Sequence, residues 1–151
     1  MKWNKTSKLI GWVAILVALD QVVKYLIKTN LAVGEEHSII PNVLSLTHLK
    51  NDGAAWSILA GNQLFLIIIT IIALGVLGWF YFDKQNQRFY PLGLTLMIAG
   101  TIGNFIDRLI YHNVVDMFQL DFINFPIFNV ADMCLTVGVA IVLLAIIKDD
   151  M

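Results

Sequence analysis

Long apolar runs alternate along the chain with short polar ones. Leu9–Ile27 is apolar apart from Asp20, Gln21 and Lys24, and Leu64–Phe82 carries no charge. Pro91–Ile106 stays apolar up to Asn104 and then meets Asp107 and Arg108, while Val130–Ile147 contains only Asp132. A helix that crosses a bilayer needs roughly 20 mostly apolar residues. The pattern therefore predicts an all-α membrane protein with four spanning helices, at about 9–27, 64–82, 91–110 and 130–147, within one integral membrane domain, 1–151.

Two longer connections lie between the spans, at about 29–62 and 111–129. The first is long for a plain loop. Its segment "VLSLTHLK" (43–50) alternates Leu44 and Leu46 with Ser45 and Thr47, a strand signal, and "NDG" (51–53) after it is a turn signal. The second sets Phe118, Phe122, Phe125 and Phe128 beside Asp116 and Asp121. Aromatic rings are favoured at headgroup level, so it reads as an interfacial segment. No internal repeat or low-complexity tract is visible.

Basic residues orient the spans. Lys2, Lys5 and Lys8 precede the first, Lys84 and Arg88 sit in the short link between the second and third, and Lys148 follows the fourth. With four spans these places share one side, the cytoplasmic one, so both termini are expected inside. The other side mixes Lys28, Lys50 and Arg108 with Glu35, Glu36, Asp52, Asp107, Asp116 and Asp121. The basic front of the first span resembles a signal peptide. Its far end reads "VALDQ", however, which is no small-x-small cleavage site, and three spans follow.

Composition narrows the function classes. The chain is 58% hydrophobic and 14% charged, against roughly 25% charged for soluble domains, which excludes a soluble protein. A net charge of −1 and the lack of a dense basic run argue against nucleic acid as a partner. Cys134 has no second cysteine to pair with, and with three scattered histidines it makes no metal constellation.

The polar residues inside the spans are not scattered. Asp20 and Lys24 fall in the outer half of the first span, Asn104, Asp107 and Arg108 at the outer end of the third, Asp116 just beyond, and Asp132 in the first turn of the fourth. Alternating helix direction brings all of them to one membrane face. Asp20 with Lys24, and Asn104 with Arg108, are spaced i, i+4 and share helix faces. Each has a local explanation. Asp20–Lys24 fits an intrahelical ion pair, Asn104 a helix-end polar residue and Arg108 an interfacial anchor. "NVAD" (129–132) fits an Asn cap with an acid on the positive end of the helix dipole, and Asp116 and Asp121 fit solvated loop positions. Their convergence at one depth favours a shared site, since ionisable groups within spans generally line an interior cavity.

Two carboxylates held together cannot both ionise easily, so one keeps a proton near neutral pH. The ionised one takes a proton from water while the other polarises a carbonyl. This is the chemistry of peptide hydrolysis by an aspartate pair. Serine, cysteine and zinc hydrolase signatures, G-x-S-x-G and H-E-x-x-H among them, are absent. A proton-coupled transporter with Asp20, Asp107 and Asp132 as a relay needs polar residues through the full membrane depth, and the second span has none beyond Thr70. A non-catalytic scaffold needs no paired aspartates. Presenilin-like proteases carry G-x-G-D, whereas Asp107 follows "NFI".

Five segments, "DQVVK" (20–24), "NDGAAWSIL" (51–59), "GNFIDR" (103–108), "VVDMF" (114–118) and "FNVAD" (128–132), closely resemble the bacterial lipoprotein signal peptidases, also called signal peptidase II, in the family's order and over nearly the whole chain. "ND" at 51–52, where many members read "NN" or "NP", is the one visible variation. The resemblance implies an aspartyl membrane protease with Asp116 and Asp132 as the catalytic pair. It places Asp20, Lys24, Asn51, Gly53, Asn104, Arg108, Asn129 and Ala131 at positions that support the pair or line the substrate channel. It implies four membrane helices, a small extracellular β-sheet and an interfacial helix, the last matched here to the Phe-rich segment 117–128. The implied substrate is a prolipoprotein whose cysteine carries a diacylglyceryl group, cut just before that cysteine at the outer face of the bacterial cytoplasmic membrane. Membrane lipid is the surrounding partner, the enzyme is expected to act as a monomer, and no metal or organic cofactor is called for.

Overall fold

The apolar runs form helices α1 (Lys5–Asn30), α2 (Gln63–Lys84), α3 (Tyr90–Tyr111) and α4 (Val130–Asp149). The structure is a computed structural model that describes residues 4–53 and 61–149. All four helices are long and apolar enough to cross a membrane, and the chain is a multi-pass membrane protein. Large apolar side chains such as Trp12, Ile72 and Leu144 are exposed on their outer faces, where lipid replaces water.

Most helices run past the apolar stretches, because polar residues continue a helix until a cap stops it. Asn4 caps α1 by accepting the Ser7 N–H at 2.7 Å. Pro91 opens α3, which closes at His112 in the left-handed conformation (φ 56°), its N–H reaching Arg108 O at 3.2 Å.

Helix α3 is the centre of the bundle and packs against α4, α2 and α1. Its seam with α4 is built on small residues. A Cβ on Gly93 would lie 2.8 Å from Gly138 O, and one on Gly138 would lie 2.6 Å from Gly93 O, so side chains there would force the backbones apart. A core of Tyr81, Tyr90, Leu94, Ile98, Val142 and Ala145 fills the end of the bundle near the α2–α3 link. At that end Lys5 bonds Gln85 O at 3.1 Å and the Asn86 side chain.

The opposite end carries a three-stranded antiparallel sheet in the order β1 (Glu36–Ile40), β2 (Leu44–Asn51), β3 (Val114–Leu120). The strand expected at 43–50 is β2. Strand β3 replaces the interfacial helix expected over 117–128, and among the described residues that segment has no helix. Here period-two packing wins. Val115 and Met117 bury against Ile27 of α1, while Val114 and Asp116, on the other face, line a cavity. After the strand the chain turns back so that Phe128 bridges Phe118, and Phe125 packs edge-on to Phe128 at 5.9 Å. An irregularity in β2 between Leu46 and Leu49 sets Asp116 opposite Leu49.

Candidate active site

Asp116 on β3 and Asp132 in the first turn of α4 come together at the sheet end of the bundle, on the wall of one cavity of about 610 Å³. They are joined by a chain of side-chain amides. Asn104 Nδ2 donates to Asp132 Oδ1 at 2.8 Å. Asn104 Oδ1 accepts from Asn129 Nδ2 at 3.1 Å, and the same Nδ2 donates to Asp116 Oδ1 at 2.7 Å. Asn51 Nδ2 donates to Asp116 Oδ2 at 2.9 Å.

The orientation of each amide is fixed by a group that can only donate. Lys24 Nζ reaches Asn104 Oδ1 at 3.0 Å, the Asp132 N–H reaches Asn129 Oδ1 at 2.9 Å, and the Gly53 N–H reaches Asn51 Oδ1 at 2.9 Å. All three NH₂ groups must therefore face the carboxylates. Asp132 Oδ2 in turn accepts the Asn129 N–H at 3.2 Å, which completes a reciprocal cap at the start of α4. The cap expected from "NVAD" and the site are thus the same residues.

A second layer lies behind the pair. Lys24 bridges Asp20 Oδ2 at 2.9 Å and Asp107 Oδ2 at 3.0 Å, with all three side chains buried. Asp20 Oδ1 accepts the Ala131 N–H at 2.9 Å, and Asp107 Oδ2 accepts the Val115 N–H at 3.3 Å. Gln21 Nε2 joins both acids, at 3.2 Å to Asp20 and 3.0 Å to Asp107.

The electrostatics follow from this packing. Burial pushes the Asp116 carboxyl up from 3.8 to about 6, and the neighbouring Asp132 adds to the rise. The N–H bonds from Asn51 and Asn129 and the charge of Lys24 oppose it. Asp116 is therefore poised to gain or lose a proton close to neutral pH.

The candidate residues divide into two groups. Asn51, Asn104, Arg108, Asp116 and Asp132 line the cavity. Asp20, Lys24, Asn129 and Ala131 stand behind it and hold the lining in place. Gly53 donates to Asn51 and accepts from Arg108 Nη2 at 3.3 Å. Residues 54–59 of the "NDGAAWSIL" segment lie outside the described residues. Asp121, with Ser45 Oγ at 2.8 Å, is engaged away from the pair. Asp107 falls among the polar residues that the sequence places at this depth, while the residues carried over from the family resemblance left out both Asp107 and Gln21. The available signal was a carboxylate, Asp107, one turn past Gly103 on the face that meets α1. Sequence reasoning also missed the apolar walls, Leu120, Phe125, Ile127, Leu135 and Val137, which no local spacing marks.

Comparison with known proteins finds relatives over nearly the whole chain. The family model for signal peptidase (SPase) II matches residues 12–148. The lipoprotein signal peptidase of Latilactobacillus sakei is 56% identical over 137 residues, 90% of this chain and 91% of the relative. That of Lactococcus lactis subsp. lactis is 52% identical over 145 residues, 95% and 97% respectively. A bacterial membrane enzyme solved by the in meso method at 2.3 Å resolution superposes with a TM-score of 0.90 at 41% identity, covering 95% of this chain and 89% of that one.

Proposed function

The chain belongs to the signal peptidase II family, and from that membership and the site geometry we propose how it works as a protease that removes signal peptides from prolipoproteins. Asp116 and Asp132 are its catalytic pair. The observation that carries this reading is the amide chain Asp132–Asn104–Asn129–Asp116, which holds two carboxyls on one cavity wall. One carboxylate takes a proton from water, whose oxygen attacks the scissile carbonyl carbon. The other gives its proton to the carbonyl oxygen. Collapse of the tetrahedral intermediate breaks the C–N bond, and the departing amine of the cysteine leaves with a proton returned by the pair. Asn51, Asn104 and Asn129 orient the carboxyls. Arg108 supplies a fixed positive charge beside them.

The scissile bond lies just before a diacylglyceryl cysteine, so it sits at the membrane surface, the depth of the pair. Thr70 of α2, Thr101 of α3 and Leu135 and Val137 of α4 extend the cavity along the helices. The Thr70 and Thr101 hydroxyls bond back to Leu66 O and Met97 O, both at 2.7 Å. That leaves an apolar lining suited to acyl chains and the signal helix. The enzyme acts as a monomer in the bacterial cytoplasmic membrane, with both termini cytoplasmic and the site at the outer face. The lysine and arginine bias supports this orientation. A single cysteine placed at Gln85, in a chain with Cys134→Ser, is expected to label only from the cytoplasmic side, and one at Glu36 only from outside. The reverse pattern would invert the orientation.

The pH profile tests the pair. The mechanism needs one protonated and one ionised carboxyl. Asp116 is raised to about 6 by burial and by the charge of Asp132, so it is the carboxyl that keeps its proton longer, and kcat/KM is expected to fall as pH rises through that region. The pair titrates as a unit, and protonation of the second carboxyl sets an acid limb at lower pH. Asn51→Ala removes an N–H that holds Asp116 down, so its alkaline limb is expected at higher pH than in the parent enzyme. A profile flat from about pH 5 to 8 would sink this reading.

A further inference from the structure

The layer behind the pair has a geometry that the reaction just described does not require. Asp20 accepts the N–H of Ala131, the residue immediately before Asp132, and Asp107 accepts the N–H of Val115, the residue immediately before Asp116. One ammonium, Lys24 Nζ, bridges these two acids, and its third proton goes to Asn104 Oδ1. Each catalytic aspartate is therefore held by its preceding peptide, and the two holds meet at a single cation.

On the proposal that Asp116 and Asp132 are the catalytic pair, we infer that Asp107 is a positioning residue. With Asp20 and Lys24 it forms a clamp that sets the spacing of the pair. The two aspartates sit on separate elements, β3 and α4, with no covalent tie nearer than the 121–129 loop. Val115 and Met117 pack on Ile27 of α1, an apolar contact that leaves the strand free to slide by fractions of an ångström. The hydrogen bond that ties the residue before Asp116 to a helix is the one to Asp107 Oδ2. The Ala131 N–H is one of the orphan donors of the first turn of α4, and Asp20 satisfies it from another helix. Gln21 Nε2 ties Asp20 Oδ2 to Asp107 Oδ1, so both acids are held in one rotamer each. Gly103 makes room for the clamp, since a Cβ there would lie 2.7 Å from Asp20 Oδ2.

None of Asp20, Lys24 or Asp107 lines the cavity, so substrate binding does not pass through them. Loss of the clamp is expected to act on kcat and to spare KM. A displacement of about 1 Å at reacting groups costs up to roughly 10²-fold in rate.

Asp107→Asn keeps the shape and an acceptor for Val115, and removes the charge that Lys24 holds. Gly103→Ala removes no polar group and displaces Asp20. Both are measured as purified enzyme in detergent with a diacylglyceryl-modified prolipoprotein. Rates are normalised to the fraction of enzyme that binds a tight peptide inhibitor, beside Asp107→Glu and Asp116→Asn. The clamp predicts kcat about 10- to 100-fold lower per binding-competent molecule for Asp107→Asn and Gly103→Ala, KM within about twofold, and partial recovery in Asp107→Glu. Parental kcat per competent molecule in Asp107→Asn, whatever its thermal stability, overturns the clamp. So does a loss confined to KM. An active Asp116→Asn overturns the catalytic assignment itself, a separate outcome.

Discussion

Lys24→Met is expected to be strongly destabilising. Lys24 is 2% exposed and holds two buried carboxylates, at 2.9 and 3.0 Å. Methionine fills much the same volume and removes the cation that bridges them. Stripping one partner from a buried ion pair costs about 3–5 kcal/mol, because the charge left behind has neither water nor a counter-ion. Here two charges are left, and Asn104 Oδ1 loses one of its two donors and keeps Asn129 Nδ2. The enzyme should unfold at much lower temperature in detergent and retain little cleavage. Asp20→Ala should be milder than an isolated ion pair would suggest, because Lys24 keeps Asp107. A thermal midpoint for Lys24→Met within a few degrees of the parent's would mean that the two acids are neutral or hydrated, and that the buried network is weaker than its distances imply.

The four spans were legible because length and uninterrupted apolarity suffice for a membrane helix. The gathering of polar residues at one end was legible for a related reason, since alternating helix direction makes it a matter of arithmetic. The relation of Asp20 to Lys24 could be read only within one helix, as i, i+4. Its other half, Asp107, comes from α3, more than 80 positions away, and no local rule marks that contact. Strand β3 was hidden because both its faces are covered at Val114–Met117, so the alternation that betrays a half-exposed strand is missing. Strand β1, "EHSII", is exposed throughout and has no apolar face to announce it. The family motifs pointed to Asp116 and Asp132 as the pair, and the fold brings the two to one cavity wall. The motifs said nothing of the three amides' orientations, which depend on Lys24 and two backbone N–H groups converging from elsewhere in the fold.

Asp116→Asn and Asp132→Asn are expected to fold, bind lipidated substrate and lose cleavage by several orders of magnitude. Asparagine has the shape of aspartate and cannot exchange a proton in the same way, and acid–base work alone is worth about 10²–10⁴-fold. Stability offers an independent check. A carboxyl raised from 3.8 to about 6 in the fold binds its proton more tightly folded than unfolded. Its ionised form therefore weakens the fold progressively between those values, by about 3 kcal/mol above them. Asp116→Asn removes that cost. It also turns one of the bonds from Asn51 or Asn129 into two facing donors, an opposing cost of about 1–3 kcal/mol. The net change is small, so inactivity cannot be blamed on unfolding. In Asp132→Asn the side chain still accepts the Asn129 N–H, and the start of α4 survives.

The most direct measurement is release of the signal peptide from a diacylglyceryl-modified prolipoprotein, followed on a gel with purified enzyme in detergent. The parent enzyme, Asp116→Asn, Asp132→Asn, the double variant and Asp121→Asn are run side by side. The pair predicts that Asp121→Asn cuts like the parent, that each single variant of the pair is inactive, and that the double variant is scarcely worse than either, since residues acting as a unit do not add. Substantial cleavage by Asp116→Asn or by Asp132→Asn would contradict the aspartyl mechanism.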